Sequence, residues 1–169
     1  MRPPGAWRLS LLPATLAFLT LLPACTPRRD AHPAAATELA VTAAAREAML
    51  AAAGAIGGTD LKADARWARC LGGVGYEYVG GGTLRAREGD VARQLEAVRT
   101  ALVKAGFADV TQVEGKVSVE RDDVRLTLTY HRAYGGWPVS FRSKCRSYPQ
   151  ADRTRVRSAE HRDIGGLTP

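Results

Sequence analysis

The chain has 169 residues, 46% of them hydrophobic, a length that supports one domain of ordinary size. Its 24 lysines and arginines outnumber its 17 acidic residues, which gives a formal net charge of +7. A nucleic-acid-binding protein needs such charges concentrated on one basic face, and the sequence shows no such cluster. We therefore expect no nucleic-acid partner.

Residues 1–24 predict a secretory signal peptide. Arg2 and Arg8 precede a mostly apolar segment, Leu9 to Leu22. This segment is about 14 residues long, which is the length of the apolar region of a signal sequence. A membrane-spanning helix needs roughly 18 to 20 apolar residues, and we expect no later segment to reach that length. Removal of the signal leaves 22 basic and 17 acidic residues, a net charge of +5.

The cysteine that follows this segment predicts a lipid anchor. Leu22 stands three positions before Cys25 and the small residue Ala24 directly before it, an arrangement that resembles the bacterial lipobox. In that motif the thiol receives a diacylglycerol group, the signal is cleaved off and the cysteine becomes the first residue. Two or more acyl chains hold a protein stably at a membrane. We expect a palmitate-bearing lipoprotein on the extracytoplasmic face of the cell membrane; the alternative is an ordinary signal peptide with an unmodified cysteine.

Residues 25–36 contain prolines, alanines and charges, and we expect them to form the tether between lipid and domain. An alanine-rich helix follows, with Thr37 as its N-cap and Gly54 as its stop. The apolar positions of this helix share one face: Val41, Ala45, Ala48, Ala52 and Ile56. A face of such small residues suits close packing against another element.

A short strand lies further along the chain. Val74, Tyr76 and Tyr78 alternate with Gly75 and Glu77, which is typical of a strand with two different faces. The glycines on either side fit bends or bulges. The preceding residues 61–69 show no pattern that assigns them to a helix or a strand.

The clearest helix covers residues 90–105. Asp90 is a good N-cap, and Gly106 stands where a left-handed residue ends a helix. Phe107 then folds back on the last turn. The apolar stripe of this helix consists of Val91, Leu95, Val98 and Leu102.

From Ala108 onward the hydrophobic period changes to two, with short turns at residues 114–115 and 122–123. Short turns between alternating strands indicate an antiparallel meander. The last two strands are predicted to direct these side chains inward: Val124, Leu126, Leu128 and Tyr130, then Val139, Phe141, Ser143 and Cys145.

Together these elements predict one α+β domain over residues 37–150. We expect an antiparallel meander sheet of about four to five strands with two helices packed on one face. Residues 151–169 contain charges, glycine and proline without periodicity, and we expect them to form a flexible tail.

Cys70 and Cys145 are the cysteines that remain once Cys25 is acylated. Outside the cytoplasm such a pair predicts a disulfide. Closing a loop of roughly 75 residues stabilises a fold by about 4 kcal/mol in the chain-entropy model. A metal site is disfavoured, because no CxxC motif occurs and the three histidines are scattered. We expect neither a metal nor a cofactor.

Two polar residues are candidates for acid–base chemistry. Glu77 needs a second carboxylate, for which Glu120, Asp122 and Asp123 are the nearby candidates. His131 follows a strand, but the sequence has no G-x-S-x-G nucleophile motif. A small cell-wall hydrolase that uses Glu77 or His131 is therefore the alternative hypothesis, and a non-enzymatic function is preferred.

Aromatic residues around the last strand are candidates for binding. Tyr134, Trp137 and Tyr148, with neighbouring glycines, are typical of a loop that stacks on sugars or grips peptides. The alternatives are an ordinary hairpin loop, a sheet edge that pairs with an extended peptide, and a cavity between helices and sheet that holds an acyl chain.

The order of these features resembles that of the small actinobacterial lipoproteins of the LppA-like type. The shared features are a lipobox cysteine, a proline-bearing tether, a helix, a cysteine before a glycine- and aromatic-rich strand, a helix ending AGF, and a last cysteine within VSFRSKC. The resemblance covers residues 37–148 and implies a compact α+β domain without established enzymatic activity. We expect a non-catalytic binding or accessory module whose partner is an envelope protein or a wall polymer.

Overall fold

The computed structural model describes residues 32–132 and 135–168. The predicted signal peptide, the predicted acylation site Cys25 and the predicted binding residue Tyr134 lie outside the described residues.

The described residues form three α-helices and one antiparallel sheet of seven strands in the order β3-β4-β5-β6-β2-β1-β7. The helices are α1 (Ala34–Ile56), α2 (Val91–Lys104) and α3 (Arg153–Arg157). The strands are β1 (Thr59–Arg69), β2 (Tyr76–Arg85), β3 (Ala108–Asp109), β4 (Lys116–Arg121), β5 (Val124–Thr129), β6 (Gly136–Ser143) and β7 (Arg162–Asp163). The predicted α+β class is confirmed, whereas the sheet has more strands than the four to five expected.

β4, β5 and β6 form an antiparallel meander, and the β1–β2 hairpin extends the sheet beyond β6. Residues 61–69, whose sequence pattern indicates neither a helix nor a strand, belong to β1. Two of the inward positions of β1 are small, Ala63 and Ala65, and the two large ones, Leu61 and Trp67, stand on either side of them. Alternation of such small residues gives a weak hydrophobic signal, and pairing with β2 decides the conformation.

One face of the sheet forms the core together with α1 and α2. The buried side chains from the strands are Ala65, Trp67, Tyr78, Leu84, Val117, Val119, Val124, Leu126, Leu128, Trp137, Val139 and Phe141. Their alternation along β5 and β6 is the one predicted from the sequence. Intervening residues such as Arg66, Arg125 and Arg142 point to the opposite face and are exposed.

The glycine run at residues 80–82 lies inside β2 rather than at a bend. A Cβ at Gly82 would lie 2.7 Å from the carbonyl oxygen of Lys62 and 3.0 Å from the Met49 Cε. A Cβ at Gly80 would overlap the ring of Phe141. Glycine is therefore needed here because α1 and β6 pack directly against the backbone of β2.

α1 begins four residues earlier than predicted, because its N-cap is Pro33 rather than Thr37 and its first residue is Ala34. The Ala34 N–H donates to the Asp152 Oδ2 at 2.9 Å, so a carboxylate from the far end of the chain serves one of the free donors of the first turn. At the other end the helix runs through Gly54 and stops at Gly57, whose φ is 64°. Glycine adopts this left-handed conformation without a steric penalty.

Among the described residues, α1 is a helix that could cross a membrane by length and composition alone, which the sequence analysis did not anticipate. It has 23 residues, and its most apolar 18-residue window has a mean hydropathy of 1.4. The chain thus has an apolar helix near its N-terminus that is compatible with membrane association. In the structure this helix packs as a core helix, with buried side chains that include Val41, Ala45, Ala48 and Ala52.

The end signals predicted for α2 are confirmed. The Asp90 carboxylate accepts the N–H groups of Ala92 and Arg93. Gly106 has a φ of 86°, and the Phe107 N–H donates to the carbonyl of Leu102 at 3.1 Å. This pattern is a Schellman motif, and it buries the Phe107 side chain against the core.

The C-terminal residues do not form the flexible tail expected from the sequence. A 3-10 turn at Gln150–Asp152 leads into α3, and β7 pairs with β1. Val156 and Ile164 are buried in the core, with 2% and 5% of their surface exposed. Elements of two to five residues have no detectable periodicity, so only their tertiary contacts reveal them.

The packing of this C-terminal segment predicts the effect of trimming its buried side chain. Ile164→Ala is expected to lower the free energy of unfolding by about 2–5 kcal/mol, because it removes buried methyl groups and leaves a cavity. Urea denaturation of the disulfide-intact protein measures this loss. Thr168→Ala, at an exposed position of the same segment, is the control and should change stability by about 0.5 kcal/mol at most. Equal midpoints for wild type and Ile164→Ala would contradict the packing.

Candidate functional site

The predicted disulfide between Cys70 and Cys145 is confirmed, with the two Cα atoms 5.9 Å apart. Cys70, directly after β1, is buried. Cys145 is exposed, which corrects the prediction that it points inward with Phe141. The alternation of β6 ends at Ser143, and the chain turns away from the core before it reaches Cys145.

Backbone contacts reinforce the covalent link at this end of the sheet, which we call the disulfide end. The backbone N–H groups of Tyr76 and Arg146 each donate to the carbonyl of the other residue, at 2.9 and 3.0 Å. Gly75 fits against this pair so closely that a Cβ would lie 2.7 Å from the Arg146 carbonyl oxygen. The loop between β1 and β2 therefore has a rigid base.

A charged cluster closes the same end. Asp123, in the turn between β4 and β5, accepts a hydrogen bond from the Lys144 Nζ at 2.8 Å and another from the Arg146 guanidinium. The hydrogen bond from Lys144 is the largest cause that lowers the pKa of Asp123 below its ordinary value, and the bond from Arg146 adds to it against the effect of burial. The carboxylate is thus an ionised clamp on both residues that flank Cys145.

The N-terminus of α1 lies at the disulfide end as well. The Trp67 Nε1–H donates to the Glu38 Oε1 at 2.7 Å, and Arg155 and Arg162 each lie 3.1 Å from the Glu38 Oε2. The side chain of Glu38 is only 14% exposed. No sequence pattern reveals this cluster, because its members are separated by up to 124 residues.

The structure places Glu77 on the open face of β2, where only 9% of its surface is exposed. Its carboxylate lies 3.9 Å from the Arg142 Nη1. A shallow cleft of about 240 Å³ also brings together the three acidic residues proposed as its partners: Glu120, Asp122 and Asp123. Because Glu120 pairs with Arg125 and Asp123 with Lys144 and Arg146, these carboxylates neutralise cations and are poorly suited to donate a proton.

His131 lies at the opposite end of the sheet from Glu77. It forms an isolated bridge with Gly136, at the start of β6, whereas Glu77 lies near the end of β6. The hydrolase hypothesis named these residues as alternatives, and the structure does not bring them into one site.

The predicted aromatic binding loop is not formed by its described members. Trp137 is 1% exposed and packs on Tyr130, with ring centroids 5.4 Å apart. Tyr148 lies at the other end of the sheet, where its ring meets Trp67 and its hydroxyl bonds to the Thr37 Oγ1 at 3.0 Å. Burial raises the pKa of Tyr148. Both side chains therefore serve the packing of the domain.

A larger groove of about 660 Å³ lies near His131, between the β2–α2 connection and the end of β5. It is lined by residues that include Arg87, Gln94, Tyr130 and Arg132. All of its lining residues are half-buried or exposed, whereas a specific small-molecule site encloses most of its ligand. Within the part of the chain that the structure describes, no three His, Cys, Asp or Glu residues are placed to hold a metal ion.

Three arginines form a row across the open face of the sheet. Strand pairing sets Arg66 opposite Val79, Val79 opposite Arg142, and Arg142 opposite Arg125. Neighbouring strands are about 4.8 Å apart, so the row spans about 15 Å. We call these three residues the arginine row. No sequence pattern reveals this row, because each arginine stands on a different strand.

Small side chains lie beside the arginine row. Strand pairing aligns Ser118 with Thr127, Thr127 with Ser140, and Ser140 with Gly81. The Ser118 and Thr127 hydroxyls lie 3.0 Å apart and form a hydrogen bond. These short side chains leave the centre of the open face flat, so an extended chain molecule has room to lie along the arginines.

The geometry of the Asp123 clamp predicts a dependence of stability on pH. Because the folded-state pKa of Asp123 is lowered, its contribution to stability is present above the unfolded-state value of about 3.8 and is lost as the pH falls through the folded-state pKa. Asp123→Asn should therefore be less stable than wild type at pH 7, and the difference should shrink below about pH 4. Urea unfolding at pH 7 and pH 3 measures it.

The adjacent residue of the same turn supplies the matched control. Asp122 has a φ of 52°, a conformation that asparagine also tolerates, whereas the ion pairs with Lys144 and Arg146 are made by the neighbouring Asp123. For Asp122→Asn, the free energy of unfolding should change between pH 7 and pH 3 by the same amount as it does for wild type. A pH-independent effect of Asp123→Asn would show that the clamp does not act through its charge.

Comparisons of this chain with protein-family models, with curated proteins and with solved structures gave no match. The resemblance to the LppA-like lipoproteins therefore stays a prediction that rests on the order of the sequence features.

Proposed function

We propose that this chain is a non-catalytic domain of the cell envelope, anchored by acylation of Cys25 to the outer face of the cytoplasmic membrane. The domain uses its open sheet face to bind an anionic wall polymer.

The observation that carries the anchoring proposal is the disulfide. The sequence contains three cysteines, and the structure pairs Cys70 with Cys145. Disulfides form and persist in oxidising compartments outside the cytoplasm. Cys25 is then the one thiol left for acylation, and it stands directly after an apolar segment with the length of a signal sequence.

The position of α1 supports a close attachment. The helix starts at Ala34, nine residues after Cys25, so the connecting segment reaches about 30 Å when fully extended. A domain held by so short a tether stays next to the membrane and its adjoining wall. That location suits a binding module better than a freely diffusing enzyme.

The anchor is tested by Cys25→Ser in the full chain, expressed in an actinobacterial host. Wild type should sediment with membranes, and the intact mass of its N-terminal residue should include a diacylglycerol group. Cys25→Ser should lose both properties, whereas Thr26→Ser, the control at the next position, should keep them. The proposal would be contradicted if Cys25→Ser sedimented with membranes as well as wild type does and if wild type lacked the mass of the diacylglycerol group.

The arginine row supports the choice of ligand. Its three guanidinium groups extend over about 15 Å of a flat surface, which fits a chain with repeated negative charges better than a compact molecule. Arg125 and Arg142 each face one carboxylate, Glu120 and Glu77, but a guanidinium has five N–H donors and retains several for an added anion. Arg125 and Arg142 have side chains 58% and 56% exposed, so the row is accessible.

Binding is tested with a glycerol phosphate polymer as the probe. Basic residues at an anionic surface contribute about 1 kcal/mol each, so replacing Arg66, Arg125 and Arg142 together with glutamine should weaken binding by about 100-fold. The matched control replaces three exposed arginines elsewhere with glutamine: Arg87, Arg93 and Arg157. Because both variants lose three charges, equal weakening of the two would show that net charge, and not the arginine row, governs binding.

A further inference from the structure

The loop between β1 and β2 exposes two large apolar side chains. Leu71 is 92% exposed and Val74 is 78% exposed, the highest values among the large hydrophobic residues that the structure describes. Single apolar side chains are common on protein surfaces, but two of them within four residues make the tip of this loop strongly apolar. Neither side chain contributes to the core, so both can contact a membrane or another molecule.

The loop holds these side chains in fixed positions. Gly72 and Gly73 adopt left-handed backbone conformations, with φ values of 97° and 82°, and the Gly73 N–H donates to the Cys70 carbonyl at 3.0 Å. At its base the loop is joined to the segment around Cys145 by the disulfide and the Tyr76–Arg146 backbone pair. A tip on so rigid a base loses little conformational entropy when it inserts elsewhere.

The start of α1 lies at the same end of the domain as this loop. Glu38 contacts Trp67, which precedes Cys70 by three strand residues, about 10 Å. Ala34 precedes Glu38 by four helical residues, about 6 Å along the axis toward the disulfide end. Ala34, where the domain connects to the segment that contains Cys25, therefore lies near the β1–β2 loop along the axis of the domain.

Charged residues around the loop are compatible with lipid headgroups. Arg69 precedes Cys70, and Lys144 and Arg146 flank Cys145. Asp122 and Asp123 lie in a turn on the same side, so the basic excess is small. The apolar side chains therefore supply most of the loop's own attraction to the membrane, and the cations favour anionic headgroups over neutral ones.

We propose that Leu71 and Val74 insert into the interfacial region of the membrane and so fix the orientation of the anchored domain. This inference rests on the proposed lipid anchor at Cys25. The lipid provides attachment, and the β1–β2 loop is a second contact that sets which side of the domain faces the membrane. The plane of the sheet then runs parallel to the membrane normal, so the open face is accessible to a wall polymer.

The test places a tryptophan at the loop tip of the full lipidated chain. Leu71→Trp and Val74→Trp are each reconstituted into phosphatidylglycerol vesicles that contain brominated acyl chains, which quench tryptophan at short range. Val113→Trp is the matched control, because Val113 is also an exposed loop valine (56%) and lies before β4 at the end of the sheet away from the disulfide. Flotation of the same vesicles records whether the chain is bound.

The outcomes separate the two proposals. Flotation together with strong quenching of the Leu71→Trp and Val74→Trp chains, and no added quenching of the Val113→Trp chain, supports loop insertion. Flotation with no greater quenching at positions 71 and 74 than at position 113 overturns the insertion but leaves the lipid anchor in place. Failure of the wild-type chain to float any better than Cys25→Ser overturns the anchor and the insertion together.

Discussion

The covalent bond between Cys70 and Cys145 is the constraint on which the rest of this structure depends. It joins the end of β1 to the segment after β6, two strands that are separated in the sheet by β2. Because β2 pairs with both neighbours, the bond closes a ring around its first residues. Closing a loop whose ends are 75 positions apart in the sequence lowers the entropy of the unfolded chain and so stabilises the fold by about 4 kcal/mol.

Contacts distant in sequence converge on the same end. The Asp152 carboxylate accepts a hydrogen bond from the first backbone N–H of α1, and the Glu38 carboxylate accepts one from the indole N–H of Trp67. The hydroxyls of Tyr148 and Thr37 form a third hydrogen bond. Each contact joins the start of α1 to a segment that follows it by 29 to 118 residues. The place where the chain enters the domain is thus fixed relative to the loop and the sheet. This is why a lipid attached upstream has consequences for orientation.

Sequence patterns were sufficient wherever local chemistry decides the conformation. The caps of α2 at Asp90 and Gly106 and the alternation of β5 follow from such chemistry. They were insufficient where tertiary contacts decide it. The two middle inward positions of β1 are alanine, and β7 has only two residues, so neither strand has a strong periodic signal. The candidate site was hardest to predict: the arginine row depends on strand order, and the aromatic residues Trp137 and Tyr148 belong to opposite ends of the core.

The most direct test of this account is peptide mapping of the protein isolated from membranes, alkylated without reduction and digested. One linked pair of peptides should contain Cys70 and Cys145, and both cysteines should be alkylated only after reduction. The same membrane preparation should yield an N-terminal peptide with an acylated Cys25. Recovery of Cys70 or Cys145 alkylated before reduction would show that the two cysteines are not joined in the native protein.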